Sequence, residues 1–410
     1  MIPWLIDLWE PEGPLRVLRY ITFRGALGLT MAFALSLALG PAVIHALRRL
    51  KMGQPILTIT HREGSLDLSQ MHGSKAGTPT MGGLLILVSM LVPALLMCDL
   101  RWAVVWALLL LMIGLGFLGG LDDYLKITRS HSRGLLPRYK LAGQLILGLL
   151  FGLALLGLPA RMQPSYHHTV DAEGYQEMFI AWGSDVQIID AETTPPGDTF
   201  HVMIRGHSHV MVPFFKNLYP SLGWFYLLWA ALVIIASSNA VNLTDGLDGL
   251  AIGVTAMVAL CFTVIAYIVA RPALAQYLII PTVPGGGEVA VLLGCLIGAA
   301  MGFLWFNAHP AEVFMGDVGS LAIGGLLGGV ALVLQMELLL VIVGGIFVIE
   351  ALSVIIQVGG YKMTGKRVFL MAPIHHHFER RGWHESKIIA RFYIIGAILA
   401  LFGLATLKLR

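Results

Sequence analysis

Ten stretches of this chain are apolar for long enough to cross about 30 Å of hydrocarbon. They lie at approximately 20–47, 81–98, 102–120, 141–158, 222–241, 249–270, 288–306, 318–335, 337–358 and 389–408. Each predicts a helix, because a segment in lipid must satisfy its backbone hydrogen bonds internally. The polar breaks are unequal. The loops 48–80, 121–140 and 359–388 hold sixteen of the 27 Lys and Arg residues, and the parity of ten spans places all three on one face. The positive-inside rule makes that face cytoplasmic and puts both termini outside. The outer segment 159–221 is too polar to span, and its alternating Val-Gln-Ile-Ile-Asp and Phe-His-Val-Met-Ile-Arg pieces predict a small β-hairpin. The expected fold is an all-α polytopic membrane protein, one integral membrane domain over 1–410 with 159–221 as an extended loop. Small-xxx-small pairs such as Gly116/Gly120, Gly148/Gly152, Gly294/Gly298 and Gly324/Gly328 suit close helix packing within the bundle.

Composition removes the soluble alternatives. The 410 residues are 57% hydrophobic and 12% charged, with a mean hydropathy of +0.79, outside the range of an ordinary globule. A net charge of +3, with the basic residues dispersed among loops, does not describe a nucleic-acid binder. Cys98, Cys261 and Cys295 have neither zinc nor disulfide spacing and read as small packing residues. The N-terminus carries Asp7, Glu10 and Glu12 in place of the basic region of a cleavable signal, so insertion is expected to rely on the first span.

Against that background, three acidic clusters stand at span ends, all on the predicted cytoplasmic face. The first is Leu121-Asp122-Asp123-Tyr124-Leu125-Lys126. If the third helix runs one turn further, Lys126 can reach either carboxylate; adjacent acids can also hold Mg²⁺ or share a proton. Lys140, at the next span, can contact phosphate or snorkel. The second cluster is Asn242-Leu243-Thr244-Asp245-Gly246-Leu247-Asp248-Gly249, where a helical turn between Asp245 and Asp248 would aim both acids the same way and a helix beginning near Asp248 would offer free N–H groups to phosphate. The alternative is a capping turn. The third, Phe314-Met315-Gly316-Asp317, follows Asn307 and His309, and an amide, an aromatic ring and a carboxylate so close together suit a nucleobase beside a metal-bound phosphate.

Two further motifs join these. Pro373-Ile374-His375-His376-His377-Phe378-Glu379 sits beside Arg380 and Arg381, where imidazoles can bind diphosphate or move protons. Lys75 opens a Gly- and Thr-rich run able to cradle an anion. His201, His207 and His209 lack carboxylate or Cys partners at ligand spacing and are read as solvated loop histidines. Five carboxylates near one face point to a cation-dependent site for a charged substrate.

Taken together, GTPTMGG at 77–83, LDDYLK at 121–126, NAVNLTDGLDGLAI at 239–252, GFLWFNAHPAEVFMGDVGSLAIGG at 302–325, ALSVIIQVG at 351–359 and MAPIHHHFE at 371–379 resemble the phospho-N-acetylmuramoyl-pentapeptide transferase family of the polyprenyl-phosphate N-acetylhexosamine-1-phosphate transferase superfamily. The likeness spans nearly the whole chain; the stretch near 159–212 exceeds the family's usual outer loop.

The resemblance implies transfer of phospho-MurNAc-pentapeptide from UDP-MurNAc-pentapeptide to undecaprenyl phosphate in a bacterial cytoplasmic membrane, with Mg²⁺, release of UMP, formation of lipid I for peptidoglycan, and a homodimer. It also implies that Asp122 and Asp123 are catalytic, that Asp317 is catalytic and the magnesium ligand, and that Asn242, Asp245 and Asp248 line the same cleft. Substrate contacts are implied for Lys75, Lys126, Lys140, Gly246, Leu247, Asn307, Phe314, His375, His376 and His377. Two rivals stand beside it: a sibling transferase using UDP-GlcNAc, and an ion-coupled transporter. The transporter needs carboxylates near mid-membrane, where only Glu350 of the ninth span lies.

Overall fold

The computed structural model describes residues 1–9, 13–50, 77–128, 134–171, 186–194, 197–215 and 218–408. In chain order the main elements are α1 Ile2–Trp9, α2 Ile21–Arg49, α3 Gly83–Met97, α4 Ala103–Thr128, α5 Pro137–Leu156, strands β1 Ser165–Asp171, β2 Val186–Thr194 and β3 Gly197–Arg205, then α6 Tyr226–Thr244, α7 Leu250–Val269, α8 Pro272–Leu278, α9 Gly286–Asn307, α10 Gly316–Leu334, α11 Glu337–Val343, α12 Gly345–Thr364, α13 Ile374–Arg380 and α14 Glu385–Thr406. Among the described residues nine helices are long and apolar enough to cross a membrane, and α3 is a shorter apolar helix of 15 residues.

Every expected span therefore has a helical counterpart, with two adjustments. The expected ninth span, 337–358, is not continuous: it divides at Gly344 into α11 and α12. The third runs on past the apolar stretch to Thr128, which carries Asp122, Asp123 and Lys126 onto the last turns of α4.

Burial sorts the helices into a centre and a rim. The central pair are α9 and α10, whose most apolar windows are 83% and 94% buried, while α2 and α12 present most of theirs outward. Such close packing without a water-driven hydrophobic effect needs small residues at the crossings. A Cβ on Gly298 of α9 would stand 2.0 Å from the Leu29 carbonyl of α2, and one on Gly324 of α10 would stand 2.6 Å from the Ser237 carbonyl of α6. Gly148 and Gly152 of α5 face Ala231 and Ala230 of α6 in the same way.

The segment between α5 and α6 holds a three-stranded antiparallel sheet in the order β1-β3-β2. The expected hairpin is its β2–β3 half, bulged between Ile188 and Asp190; β1 adds a strand that alternation alone had not marked. Ser165 of β1 exchanges two backbone hydrogen bonds with Thr282, and the Tyr166 hydroxyl donates to Gln335 Oε1 at 2.6 Å. The sheet is thereby tied to the bundle. His207 and His209 are buried at its base, at 1% and 0% exposure, so the expectation of solvated histidines fails for these two. Burial holds the His207 imidazole neutral, its pKa pushed down to about 3. The His201 side chain lies outside the described positions.

Candidate active site

Three helix ends deliver the acidic clusters to one place. Asp122 and Lys126 are one helical turn apart near the end of α4, as are Asp123 and Lys126 at i, i+3, so the lysine folds back over both acids. Asp317 enters from the first turn of α10. Lys126 Nζ stands 2.9 Å from Asp122, 3.5 Å from Asp123 and 3.1 Å from Asp317, so one ammonium is ringed by three carboxylates from two helices. Lys140, from the first turn of α5, makes a second link at 2.7 Å to Asp317 and 3.7 Å to Asp122. The other Asp317 oxygen accepts from Asn242 Nδ2 at 2.8 Å, and the same amide donates to Ser320 Oγ at 2.8 Å. Asp122 accepts from the Leu135 backbone and Asp123 from the Val318 backbone at 3.2 Å. Each of the three acids is thus anchored by a backbone or amide hydrogen bond as well as by a lysine.

Asp245 lies in the turn after α6 and accepts from the Gly316 backbone. Its carboxyl is pushed up to about 8, first by burial and then by the Asp317 and Asp123 carboxylates beside it. Asp248 diverges. The helical turn expected to aim Asp245 and Asp248 together does not form, because α6 stops at Thr244 and α7 starts only at Leu250 behind Gly249, which is left-handed at φ 81°. The Asp248 carboxylate instead takes the His309 ring at 3.0 Å and the Ala311 N–H at 3.2 Å, and its own N–H donates to Glu385. Asp248, His309 and Glu385 bring ligand atoms within 4.8 Å of one another, a second group able to hold a cation.

The loop of 308–315 is fixed by its neighbours. Asn307 is 3% exposed; its carbonyl oxygen accepts from Gly249 N–H and its amide donates to the Val313 carbonyl. Phe314 is half-buried and pairs its backbone with Pro79 and Gly82. Leu247 is buried, and Gly246 is exposed yet abuts His375: a Cβ there would lie 2.3 Å from the ring's Nε2. His375 is fully buried, its Nδ1 3.0 Å from Glu350 of α12. His376 contacts Glu379, and His377 Nδ1 accepts from Leu370 N–H. His377 is lowered by partial desolvation and by Arg381. Lys75 falls outside the described residues.

Comparison with known proteins gives this geometry a family. Residues 199–335 match the sequence profile of Glycosyl transferase family 4, and residues 75–87 match phospho-N-acetylmuramoyl-pentapeptide-transferase signature 1. A phospho-N-acetylmuramoyl-pentapeptide-transferase of Maridesulfovibrio salexigens is 44% identical over 99% of this chain and 99% of its own length. The chain belongs to the phospho-N-acetylmuramoyl-pentapeptide-transferase family. A second member, from Desulfotalea psychrophila, is 44% identical over 96% of this chain and 95% of its own. The family signature covers the segment that wedges against α10. Gly82 and Gly83 N–H groups donate to the Phe314 and Met315 carbonyls, and a Cβ on Gly83 would sit 2.1 Å from Gly319 N.

Sequence reasoning missed the partners that lie far along the chain: Glu385 with Asp248, Ser320 with Asn242, and Glu350 with His375. Only Glu350 carried a signal, as the single acid inside a span.

Proposed function

We propose that the cleft at the ends of α4, α5, α6 and α10 transfers phospho-MurNAc-pentapeptide from UDP-MurNAc-pentapeptide to undecaprenyl phosphate, producing lipid I and UMP at the cytoplasmic face of a bacterial inner membrane. The observation that carries this reading is the ring of Asp122, Asp123 and Asp317 around the Lys126 ammonium. Two phosphorylated substrates repel each other, and bringing them together takes fixed cations and a divalent metal. The sugar carrier is assigned as UDP-MurNAc-pentapeptide and not UDP-GlcNAc on family membership.

The donor set suits Mg²⁺. The point that Lys126 occupies is a cation position bounded by hard carboxylate oxygens. Asp122, Asp123 and Asp317 set three carboxylates against two lysines, and the negative excess grows as a lysine turns to phosphate. Asp317, with Asp122 and Asp123 beside it, would hold the ion, which supplies Lewis-acid stabilisation of phosphoryl charge. Lys126 and Lys140 then exchange their carboxylate partners for phosphate oxygens. Asp122 orients or deprotonates the lipid phosphate, whose oxygen attacks the β-phosphorus as the bond to the departing UMP oxygen breaks. Asn242 keeps Asp317 in its rotamer through the hydrogen bond at 2.8 Å. A two-step route through an aspartyl-phosphate would leave radiolabelled phospho-sugar on the protein without lipid acceptor; the direct route leaves none.

The test is UMP release by full-length protein in lipid with both substrates, comparing wild type and Asp317→Asn. Asp317 makes charged contacts to two lysines, and losing them costs about 10²-fold or more. Turnover within threefold of wild type by folded Asp317→Asn would overturn the assignment, and turnover of UDP-GlcNAc alone would replace the sugar.

A further inference from the structure

Helices α5 and α6 meet along a row of residues four apart. On α5 the row is Lys140, Gln144, Gly148 and Gly152, the last three buried, and a spacing of four keeps them on one face. Gly152 packs on Ala230 and Gly148 on Ala231; Gln144 meets Ser238 and Asn239; Lys140 meets Asn242 at the Asp317 carboxylate. The pairing is antiparallel, so each step along α5 towards the carboxylates is matched by one along α6.

Glycine contacts let the two backbones approach without fixing how far one slides along the other. Gly148 and Gly152 stand one turn apart, so moving α5 by four residues, about 6 Å, would put one glycine where the other had been. The layer at Gln144 has no such equivalent. Gln144 is 1% exposed; its Nε2 donates to Ser238 Oγ at 2.9 Å, and its Oε1 accepts from Asn239 Nδ2 at 3.0 Å. Both ends of one amide are used across the crossing, and a slide of about 1 Å would carry them out of hydrogen-bonding range.

The α6 side chains do not depend on this layer for partners. Ser238 Oγ also donates to the Ile234 carbonyl at 2.6 Å, and Asn239 Nδ2 to the Ile235 carbonyl at 2.8 Å, both within their own helix. An apolar side chain of equal length at 144 would therefore strand no donor, and what it would remove is direction. One turn from Gln144 stands Lys140, 2.7 Å from Asp317 Oδ2; one turn from Asn239 stands Asn242, 2.8 Å from Asp317 Oδ1. The two grips on a single carboxylate thus come from two helices joined one layer away. We propose that Gln144 and Asn239 are positioning residues that set the axial register of α5 against α6, and with it the simultaneous hold of Lys140 and Asn242 on Asp317. The inference rests on the phosphoryl-transfer reading of that cluster and adds two residues that act through others.

UMP release and thermal unfolding of full-length protein in lipid, for wild type, Gln144→Met, Lys140→Ala, their double variant and Asn239→Ala, test this. Gln144→Met keeps the side-chain length and should hold Tm within about 2 °C of wild type while kcat falls about tenfold. On the Lys140→Ala background the same change should lower kcat by less than about threefold more, because the ammonium it positions is gone. Asn239→Ala cuts the link from the other helix and should match the tenfold loss. Values of kcat within about threefold of wild type in both Gln144→Met and Asn239→Ala overturn the proposal. So does a tenfold loss that Gln144→Met repeats in full on Lys140→Ala, since independent losses mean that the layer only packs. All variants are compared on whichever UDP-sugar wild type turns over, so a different sugar would correct the function proposed above and leave the register claim to its own result.

Discussion

Gly119→Ala isolates the one crossing on which the acidic ring depends. A Cβ at Gly119 of α4 would stand 2.1 Å from the Asp317 carbonyl oxygen and 2.8 Å from Val318 N, both backbone atoms at the head of α10. Ordinary contact begins at 3.4 Å, so α4 and α10 must part there by about 1.3 Å. Asp122 and Asp123 follow within one turn on the same helix, so they move with it. The displacement separates Asp122 and Asp123 from Asp317, so the Lys126 contacts of 2.9 and 3.1 Å that bridge them must be re-made in a different geometry. Overpacking of this kind costs about 1–3 kcal/mol of stability, and a misplacement near 1 Å in a catalytic constellation costs about 10²-fold in rate. Gly120→Ala is the control: its Cβ meets only Val318 Cγ2, at an ordinary 3.5 Å, and helix propensity favours alanine by up to about 1 kcal/mol. Thermal unfolding and UMP release of both variants decide the matter. Gly119→Ala with turnover within threefold of wild type would refute the claim that this crossing sets the site.

Other perturbations address separate parts of the molecule. Because the Asp245 carboxyl is raised to about 8 from 3.8, the folded state binds the proton more tightly than the unfolded chain. The Asp245 contribution to stability is full below about pH 4, falls as pH rises towards 8, and is lost above. In metal-free buffer, Asp245→Asn should flatten that decline in Tm, and an unchanged slope would contradict it. Arg24→Ala strands the Glu288 carboxylate in a buried site and should cost about 3–5 kcal/mol, seen as loss of folded protein in detergent; a Tm within about 1 °C of wild type, roughly 0.9 kcal/mol for a chain of this size, would show that the pair does not matter. Gly246→Ala drives a methyl into His375 Nε2 and should lower kcat about tenfold with little change in Tm, because the site-bearing turn moves while the bundle does not. Unaltered kcat would mean that His375 is only packing.

The chain's own pattern of residues determined the bundle, the helical segments and the chemistry on offer, because span length and the insolubility of an unpaired backbone in lipid are properties of composition alone. It also marked Asp122, Asp123, Asp245 and Asp317 as acids at span ends. Tertiary structure decided which of them meet. Nothing local says that Lys126 turns to Asp317, 191 residues away, or that Asp248 leaves its sequence neighbour for His309 and Glu385. The same holds for Glu350, which pairs with His375 only because α12 and α13 fold against each other. The β1 strand escaped notice for a related reason, since a strand is stabilised by its partner and its partner here is β3, at the far side of β2 in the sequence. Helices in a membrane are specified one segment at a time, whereas a site is a coincidence of their ends, fixed by glycines that let backbones touch.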